Sequence, residues 1–522
     1  MINIRSNPAG LRTSLEDDPR VVEEQITEEY TNHVVPKSAR KSRSQVLGSW
    51  SGITSAMAFV YYGALAAVLA GVQQAIIGLV LVVICYSLLG SYSVRDAVRW
   101  GLNSTLLSRR LFGHKGAAIA PLLVGLSLVY YAVFEGTIVA VALQSYFNVW
   151  DIRVWYAIVV VGMLPLMLGG MQTWLSKLNW VSLPIYFFGV TAAVLFAGMQ
   201  VGWVGDWSAF SAAASSTPAI PGWLTVFVLY MGIFVLFPET QDAARFAKER
   251  DLKFHQNVTF GWAFYGVAYL FNGLVGIAIV GFAGSSDEVS ESGVVQGIID
   301  TLGLVGLIVI VVSQIRINSA NFYFASVNLE RFVGHFTKRG ISRKAWVVLI
   351  SLVVFVLMLT NVFSYISVAL AWQAVLIVTL VGIMATHSAL NPRQAPEFRT
   401  HRLKAVGPGF MVWIVSSGVG IVLLQLPAQA PVLSALAPMI SLGLAVLLYI
   451  AVHLAGGSAV KERRADPVRD SVEDLWNVRV ECDSCERSYV AQEMDVPEQG
   501  QSVQCLACQE SKRDLEDAAL PR

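Results

Sequence analysis

Four cysteines stand in two pairs late in the chain, Cys482 and Cys485 in "CDSC" and Cys505 and Cys508 in "CLAC". Two C-x2-C knuckles separated by about twenty residues can set four thiolates tetrahedrally around one zinc ion, the arrangement of a closed structural site. Two charges inside apolar runs signal a second kind of chemistry: Glu135 in "YYAVFEGTIVA" and Arg316 in "VVSQIRINSANFYF". A charged side chain at the centre of a bilayer costs about 2.5–3.5 kcal/mol or more, so such a group is expected to pair or to handle an ion or proton. Arginine does not titrate usefully, so a transported proton would need the carboxylate. Arg316 and Glu135 are therefore candidate functional residues. The alternative for Arg316 is a helix that ends near Gln314, with the side chain snorkelling to the interface. Cys85, alone in an apolar span, reads as a packing residue.

The elements that would position these groups are membrane helices. Hydrophobic residues make up 55% of the chain and charged residues 14%, which is not the balance of a soluble domain. Apolar stretches of about 20 residues, the length that crosses a bilayer, recur from Leu47 to Leu454. They divide into about twelve spans, at 47–70, 73–94, 117–143, 153–173, 179–199, 222–241, 258–283, 298–327, 345–361, 364–386, 407–426 and 432–454. Of the ionisable residues, only Glu135 and Arg316 lie deep in these spans by this reading, with Asp300 near the outer end of its own. Asp242 and Arg245 are expected to pair locally or to anchor a gate at a cytoplasmic end.

Lysine and arginine fall on alternate loops, as cytoplasmic loops require. Lys37, Arg40, Lys41 and Arg43 precede span one, and later turns carry Arg95, Arg109, Arg245, Lys248, Arg331, Lys338, Arg399 and Arg402, among others. The opposite loops at 201–221 and 285–293 have none, and Arg153 is the exception. Both termini are thus expected in the cytoplasm, in a multi-pass protein of the cell (plasma or inner) membrane, with no cleavable signal peptide. The chain divides into an N-terminal tail (1–45), expected to fray, a transmembrane domain (46–455), a linker (456–475), a cysteine domain (476–512) and a C-terminal tail (513–522). "ERSYVAQEMDVPEQGQSVQ", between the cysteine pairs, alternates and turns like the short hairpin of a zinc ribbon. A reducing cytoplasm disfavours disulfides there. The tail has few basic or aromatic residues for nucleic acid, and a cytoplasmic protein is its possible partner.

Two spans carry helix breakers in matching places. Span one reads "LGSWSGITSAMAFVYYG" and span six "LYMGIFVLFPET", five spans apart, as a five-plus-five inverted repeat needs. No metalloprotease, nucleophile-elbow or phosphate-loop motif is present, so an enzyme or ATP-driven pump is not expected.

"VVPKSARKS", "GLNSTLLSRRLFGHKG" (101–116), "LSKLNWVSLP", "DAARFAK" (242–248) and "NSANFYFASVNL" occur in an order and spacing that resembles the nucleobase:cation symporter-1 family over roughly residues 30–455. That family includes cytosine, purine, uracil, allantoin and hydantoin permeases. The resemblance implies an all-α LeuT-like fold of two inverted five-helix repeats plus two helices, with the zinc-ribbon-like tail as an addition. It also implies a planar nitrogen heterocycle stacked between aromatic rings and hydrogen-bonded by amides and unwound backbone. Tyr130 or Tyr131 then takes one stacking place, Phe234 the other, and Ser55, Ser127, Gly232, Asn318 and Asn321 line the site. Asn318 has a plainer reading as a polar tie between helices. Sodium-coupled relatives hold the ion between spans one and eight, at positions that here read Arg316 and Ile317, so the resemblance implies that Arg316 is a tethered cation in place of sodium, with Glu135 as its partner or as the carrier of a transported proton, and sodium coupling is not expected. The expectation is a permease importing such a heterocycle across the lipid bilayer by alternating access, proton-coupled or uncoupled. The alternative is a transporter-like sensor signalling through its tail.

Overall fold

The computed structural model describes residues 10–28, 30, 32–168, 171–202, 219–283, 291–334, 343–360, 366–461, 466–496 and 502–509. The loops at 203–218 and 284–290, the basic turn at 335–342, the boundary between spans nine and ten at 361–365 and the tail at 513–522 lie outside them. Among the described residues seven single helices are long and apolar enough to cross a membrane, and two further pairs are bent at a short break. The shorter apolar helices Ile152–Met167, Ala345–Met358 and Pro408–Leu424 fill the remaining places of the expected series.

The bent pairs are the two spans marked by helix breakers. Span one joins Arg43–Ser55 to Met57–Ala70 with a 45° bend, and span six joins Gly222–Met231 to Leu236–Ala244 with a 48° bend. Span two is Val72–Trp100, span three Ile119–Phe147, span four Ile152–Leu168 and span five Met171–Val201. Span seven starts irregularly, with π turns at His255–Thr259 and Gly266–Phe271 ahead of Asn272–Ala283. Span eight, expected from 298, begins at Leu304 and runs to Gly334; a separate helix, Glu291–Leu302, precedes it. Gly303 divides them at φ +57°, a conformation that a residue without Cβ adopts at no steric cost. Asp300 therefore belongs to the separate helix and not to span eight. Ile366–Leu390, Pro408–Leu424 and Ala437–Leu454 are spans ten to twelve.

Spans one, two, six and seven pack on one another, and spans three and eight form the most extensive contact, flanked by four and nine. Small residues allow the closest approach: a Cβ on Gly63 would strike the Gly273 backbone, and one on Gly276 the carbonyl of Val60. With no hydrophobic force between helices in lipid, such backbone proximity is what lets spans one and seven adhere.

The C-terminal domain is a three-stranded antiparallel sheet in the order β1 (Thr13–Ser14), β2 (Arg479–Glu481), β3 (Ser488–Val490). β2 and β3 flank the first cysteine knuckle, with Val480 opposite Tyr489. Of the expected hairpin between the knuckles, the described residues form one bridge, Asp495 with Gln504. The described part of the N-terminal segment packs instead of fraying: β1 adds to the sheet, with Thr13 opposite Val480, and Val21 of the helix Pro19–Glu28 enters the ribbon core beside Val468, Tyr489 and Met494.

Candidate functional site

The first half of span one ends because its last turn satisfies itself. Thr54 Oγ1 donates to Ser51 O at 2.6 Å and Ser55 Oγ to Gly52 O at 3.0 Å, closing a 3-10 turn over Gly52–Ser55. Ala56 is then extended (φ −67°, ψ 122°) before Met57 opens the second half. Carbonyls at a helix C-terminus carry partial negative charge and lack partners within the helix. Arg316 of span eight answers both needs: it is 3% exposed, and its Nη1 donates to Gly52 O. A Cβ at Gly52 would fall on the guanidinium, so glycine makes room for it. Arg316 thus does not snorkel. Ile317, the next residue, is also buried, and its side chain has no oxygen to offer a cation.

On the other side of the break lies the positive N-terminus of the second half, and there the acid is found. Glu135 is 2% exposed and accepts a hydrogen bond from the Ala58 N–H. The amide of Gln314 is satisfied when its nitrogen donates to Glu135 Oε2 and its oxygen accepts from Ser313 Oγ at 3.0 Å and Met57 N–H at 3.2 Å. Glu135 is therefore held by Gln314 and the helix N-terminus instead of pairing with Arg316. The guanidinium and the carboxyl group occupy opposite lips of one helix break, beside its C-terminal and N-terminal dipole ends. Asn272 of span seven latches the same segment, donating to Thr54 O at 2.8 Å while accepting from Tyr186 OH at 3.1 Å.

The break in span six is held from span ten. Gln373 Nε2 donates to Gly232 O at 2.6 Å and to Tyr131 OH at 2.8 Å, so one amide ties the unwound carbonyl to span three. Tyr131 and Tyr130 are both partly buried, with ring centroids 5.7 Å apart. Tyr62, in span one, is an electrostatic neighbour of Tyr130, Tyr131 and Glu135, which joins the two half-sites. The hydroxyls of Tyr62 and Tyr230 are buried without a hydrogen-bond partner among the described residues. Phe234 is 2% exposed and meets Tyr86 edge to face at 4.2 Å. Glu239, in the second half of span six, has Oε1 buried and unpartnered among the described residues and neighbours Tyr131 and Tyr265. It is a buried ionisable group within a span that the sequence reading did not single out.

Not every expected residue converges. Ser55 lies in the span-one break with its hydroxyl turned back to Gly52, and Ser127 is buried one turn ahead of Tyr131. Asn318 is held away from the breaks, its Nδ2 3.5 Å from Met163 Sδ of span four and close to Gly136 of span three. Asn321 is buried with Nδ2 unpartnered among the described residues. Gln314, Gln373, Asn272 and Glu239 escaped the sequence reading; the available signal was that each is a polar side chain inside an apolar run.

The four cysteine Sγ atoms lie within 4.8 Å of one another, and all four are free thiols. Cys485 and Cys505 Sγ are 4.0 Å apart, far beyond a disulfide's ~2.05 Å and close to the ~3.8 Å edge of a tetrahedron with metal–sulfur distances of about 2.3 Å. The Cys505 N–H donates to Cys482 Sγ at 3.3 Å, stabilising a thiolate. The donor set and spacing fit a zinc-type metal ion.

No family model matches the sequence, and no curated protein matches it. Solved structures do. Mhp1, a nucleobase-cation-symport-1 family transporter in a closed conformation with bromovinylhydantoin bound, is 16% identical, with 81% of this chain and 95% of that chain covered and a TM-score of 0.61. Mhp1 in its inward-facing conformation gives 0.64 over 81% and 94%, again at 16% identity. A substrate-bound, outward-open Na+-coupled sialic acid symporter is 14% identical over 85% and 95%, at 0.55. The chain has the LeuT-like fold of these proteins, with a C-terminal cysteine domain added.

Proposed function

We propose that a chain with this fold is a secondary transporter of the nucleobase:cation symporter-1 type, importing a planar nitrogen heterocycle across a cell membrane by alternating access. The observation that carries the reading is the convergence of two interrupted spans on span three, with Glu135 at the span-one break and Tyr131 tied to the span-six break by Gln373. Tyrosine faces stack on a heterocycle, while unwound carbonyls, amides and carboxylates meet its edge. Spans one, two, six and seven move as a bundle against the scaffold of spans three, four, eight and nine. Arg316 stands in for a coordinated sodium ion, and Glu135 carries the coupled proton. The distribution of basic residues supports placing both termini in the cytoplasm. The cysteine tetrad holds structural zinc, which supplies folding free energy to a domain with a small core.

The test is ligand-dependent thermal stability of the purified protein with cytosine, uracil, adenine, guanine, hypoxanthine, allantoin and hydantoins, each in sodium and in choline. Ligand at about a hundred times its Kd stabilises by roughly 2.7 kcal/mol. A shift with one heterocycle, equal in both salts, is the expected result. A shift that requires sodium overturns the role of Arg316, and no shift across the panel overturns the substrate class.

A further inference from the structure

The N-terminal segment touches both the ribbon and the moving bundle. At the ribbon, β1 pairs with β2, and Glu493 holds the segment twice, with Oε1 3.1 Å from His33 Nδ1 and Oε2 accepting the Val34 N–H at 3.0 Å. His33 also stacks on Tyr489 at 4.5 Å. Beyond this anchor the same segment straps the bundle. Tyr30 O accepts from Arg245 at the end of span six, the Lys41 N–H donates to Phe246 O at 2.7 Å, and Arg43 pairs with Asp251 at 2.9 Å. It then runs without interruption into the first half of span one.

The ribbon is fixed on its other side to the loop between spans ten and eleven. Arg399, 1% exposed, donates to Met494 O and pairs with Glu397 and Asp466, while Arg402 pairs with Asp495 at 3.0 Å. The same end of the transporter is drawn together by contacts between the bundle and elements outside it. Arg95 of span two donates to Ser388 O of span ten at 2.7 Å, and Asp242 of span six accepts from the Ser104 N–H at 2.8 Å, ahead of span three. Opening toward the cytoplasm must part these contacts, and the strap spans the line of parting.

We infer that the cysteine ribbon and residues 30–43 form a metal-dependent clasp that holds the cytoplasmic side of the transporter closed. This rests on the zinc and transporter readings above. The ribbon core draws on Val21 from the N-terminal helix and on Val468 and Val472 from the linker, so it cannot come apart without releasing the segments that feed it. Such a small core depends on the metal for its folding, and the metal site thereby controls whether the strap is anchored. A cell that strips or oxidises the four thiols would obtain a transporter that opens inward more readily.

The test uses the full chain in lipid nanodiscs, with zinc content by mass spectrometry and amide hydrogen exchange read on peptides covering 30–43, before and after a chelator. The expected result is one zinc per chain, and at least tenfold faster exchange at Val34, Val35 and Lys41 on chelation. Glu493→Ala, which keeps all four cysteines, should retain zinc and still show the faster exchange. In proteoliposomes both treatments should raise the inward transport rate. One bound zinc with exchange unchanged at 30–43, or a slowed rate, overturns the clasp and leaves the metal site standing. No bound zinc overturns the metal site and the clasp with it. The heterocycle panel, read separately, decides the transporter reading.

Discussion

The guanidinium of Arg316 occupies the space that a side chain on Gly52 would need, and its Nη1 donates to the carbonyl of that same glycine. Span eight thus reaches across and plugs the end of a broken helix with a covalently attached cation. Gly52→Ala should expel the plug; overpacking of this kind costs about 1–3 kcal/mol and would lower the melting temperature. Gly48→Ala, where an added Cβ meets nothing within 4 Å, is the matched control and should be neutral. Thermal melts of the two variants check the pair.

Removing the cation separately tests its electrostatic role. Arg316→Gln keeps a donor near Gly52 O but no charge, so the span-one C-terminus loses the complement to its dipole. Uptake should fall at least tenfold, and sodium should stimulate the variant while leaving the wild type unchanged. Flux measured in sodium and in choline separates these outcomes, and sodium stimulation of the wild type would refute the replacement.

Glu135→Gln preserves an acceptor for the Ala58 N–H and removes the titrating group. Exchange of substrate down its own gradient should persist, while accumulation driven by an inward proton gradient should vanish. Counterflow against pH-jump uptake in the same proteoliposomes distinguishes a coupling residue from a residue needed for binding.

Gln373→Leu leaves Gly232 O and Tyr131 OH without their shared donor. An unsatisfied buried group costs about 1–3 kcal/mol, which corresponds to roughly tenfold weaker heterocycle binding. The ligand-induced thermal shift should shrink accordingly, with the unliganded melting temperature changed less than by Gly52→Ala.

Acid should loosen the ribbon from the loop between spans ten and eleven. Burial raises the carboxyls of Glu397 and Asp466, but the hydrogen bonds and charge of Arg399 outweigh it and hold both below their ordinary 4.5 and 3.8. A lowered carboxyl contributes stability that is full above its ordinary pKa and is lost as the pH falls through the lowered one. Exchange protection of residues 397–402 should therefore be constant near neutrality and collapse below about pH 4, and Asp466→Asn should lower protection at pH 7 and keep only the part of this titration that Glu397 carries.

The spans, both helix breaks and the cysteine tetrad were legible because each rests on a local pattern: apolar length, Gly52, Gly232 and Pro238 in helices, and paired C-x2-C knuckles. The start of span eight was not, because the apolar run crosses Gly303 unbroken and only its positive φ marks the divide. Glu135 and Arg316 stood out as charges, but their separation across the break depends on how spans three and eight meet span one. Gln314, Gln373 and Asn272 stand out only as polar side chains in apolar runs, and what each amide holds depends on partners far away in sequence. The pairing of β1 with β2 rests on two residues, Thr13 and Ser14, too few for any periodicity to show.

That pairing also sets an order of events during synthesis. Arg12 and Glu481, which form an ion pair beside the two strands, are 469 residues apart. At the usual 5–20 residues per second, β1 waits roughly 25–90 s on the ribosome's far side for the strand it will join. Until then its hydrogen-bonding edge stays open to chaperones and proteases. A ribosome that stalls anywhere in the spans leaves that edge uncovered, so the pairing of β1 reports that synthesis has passed β2.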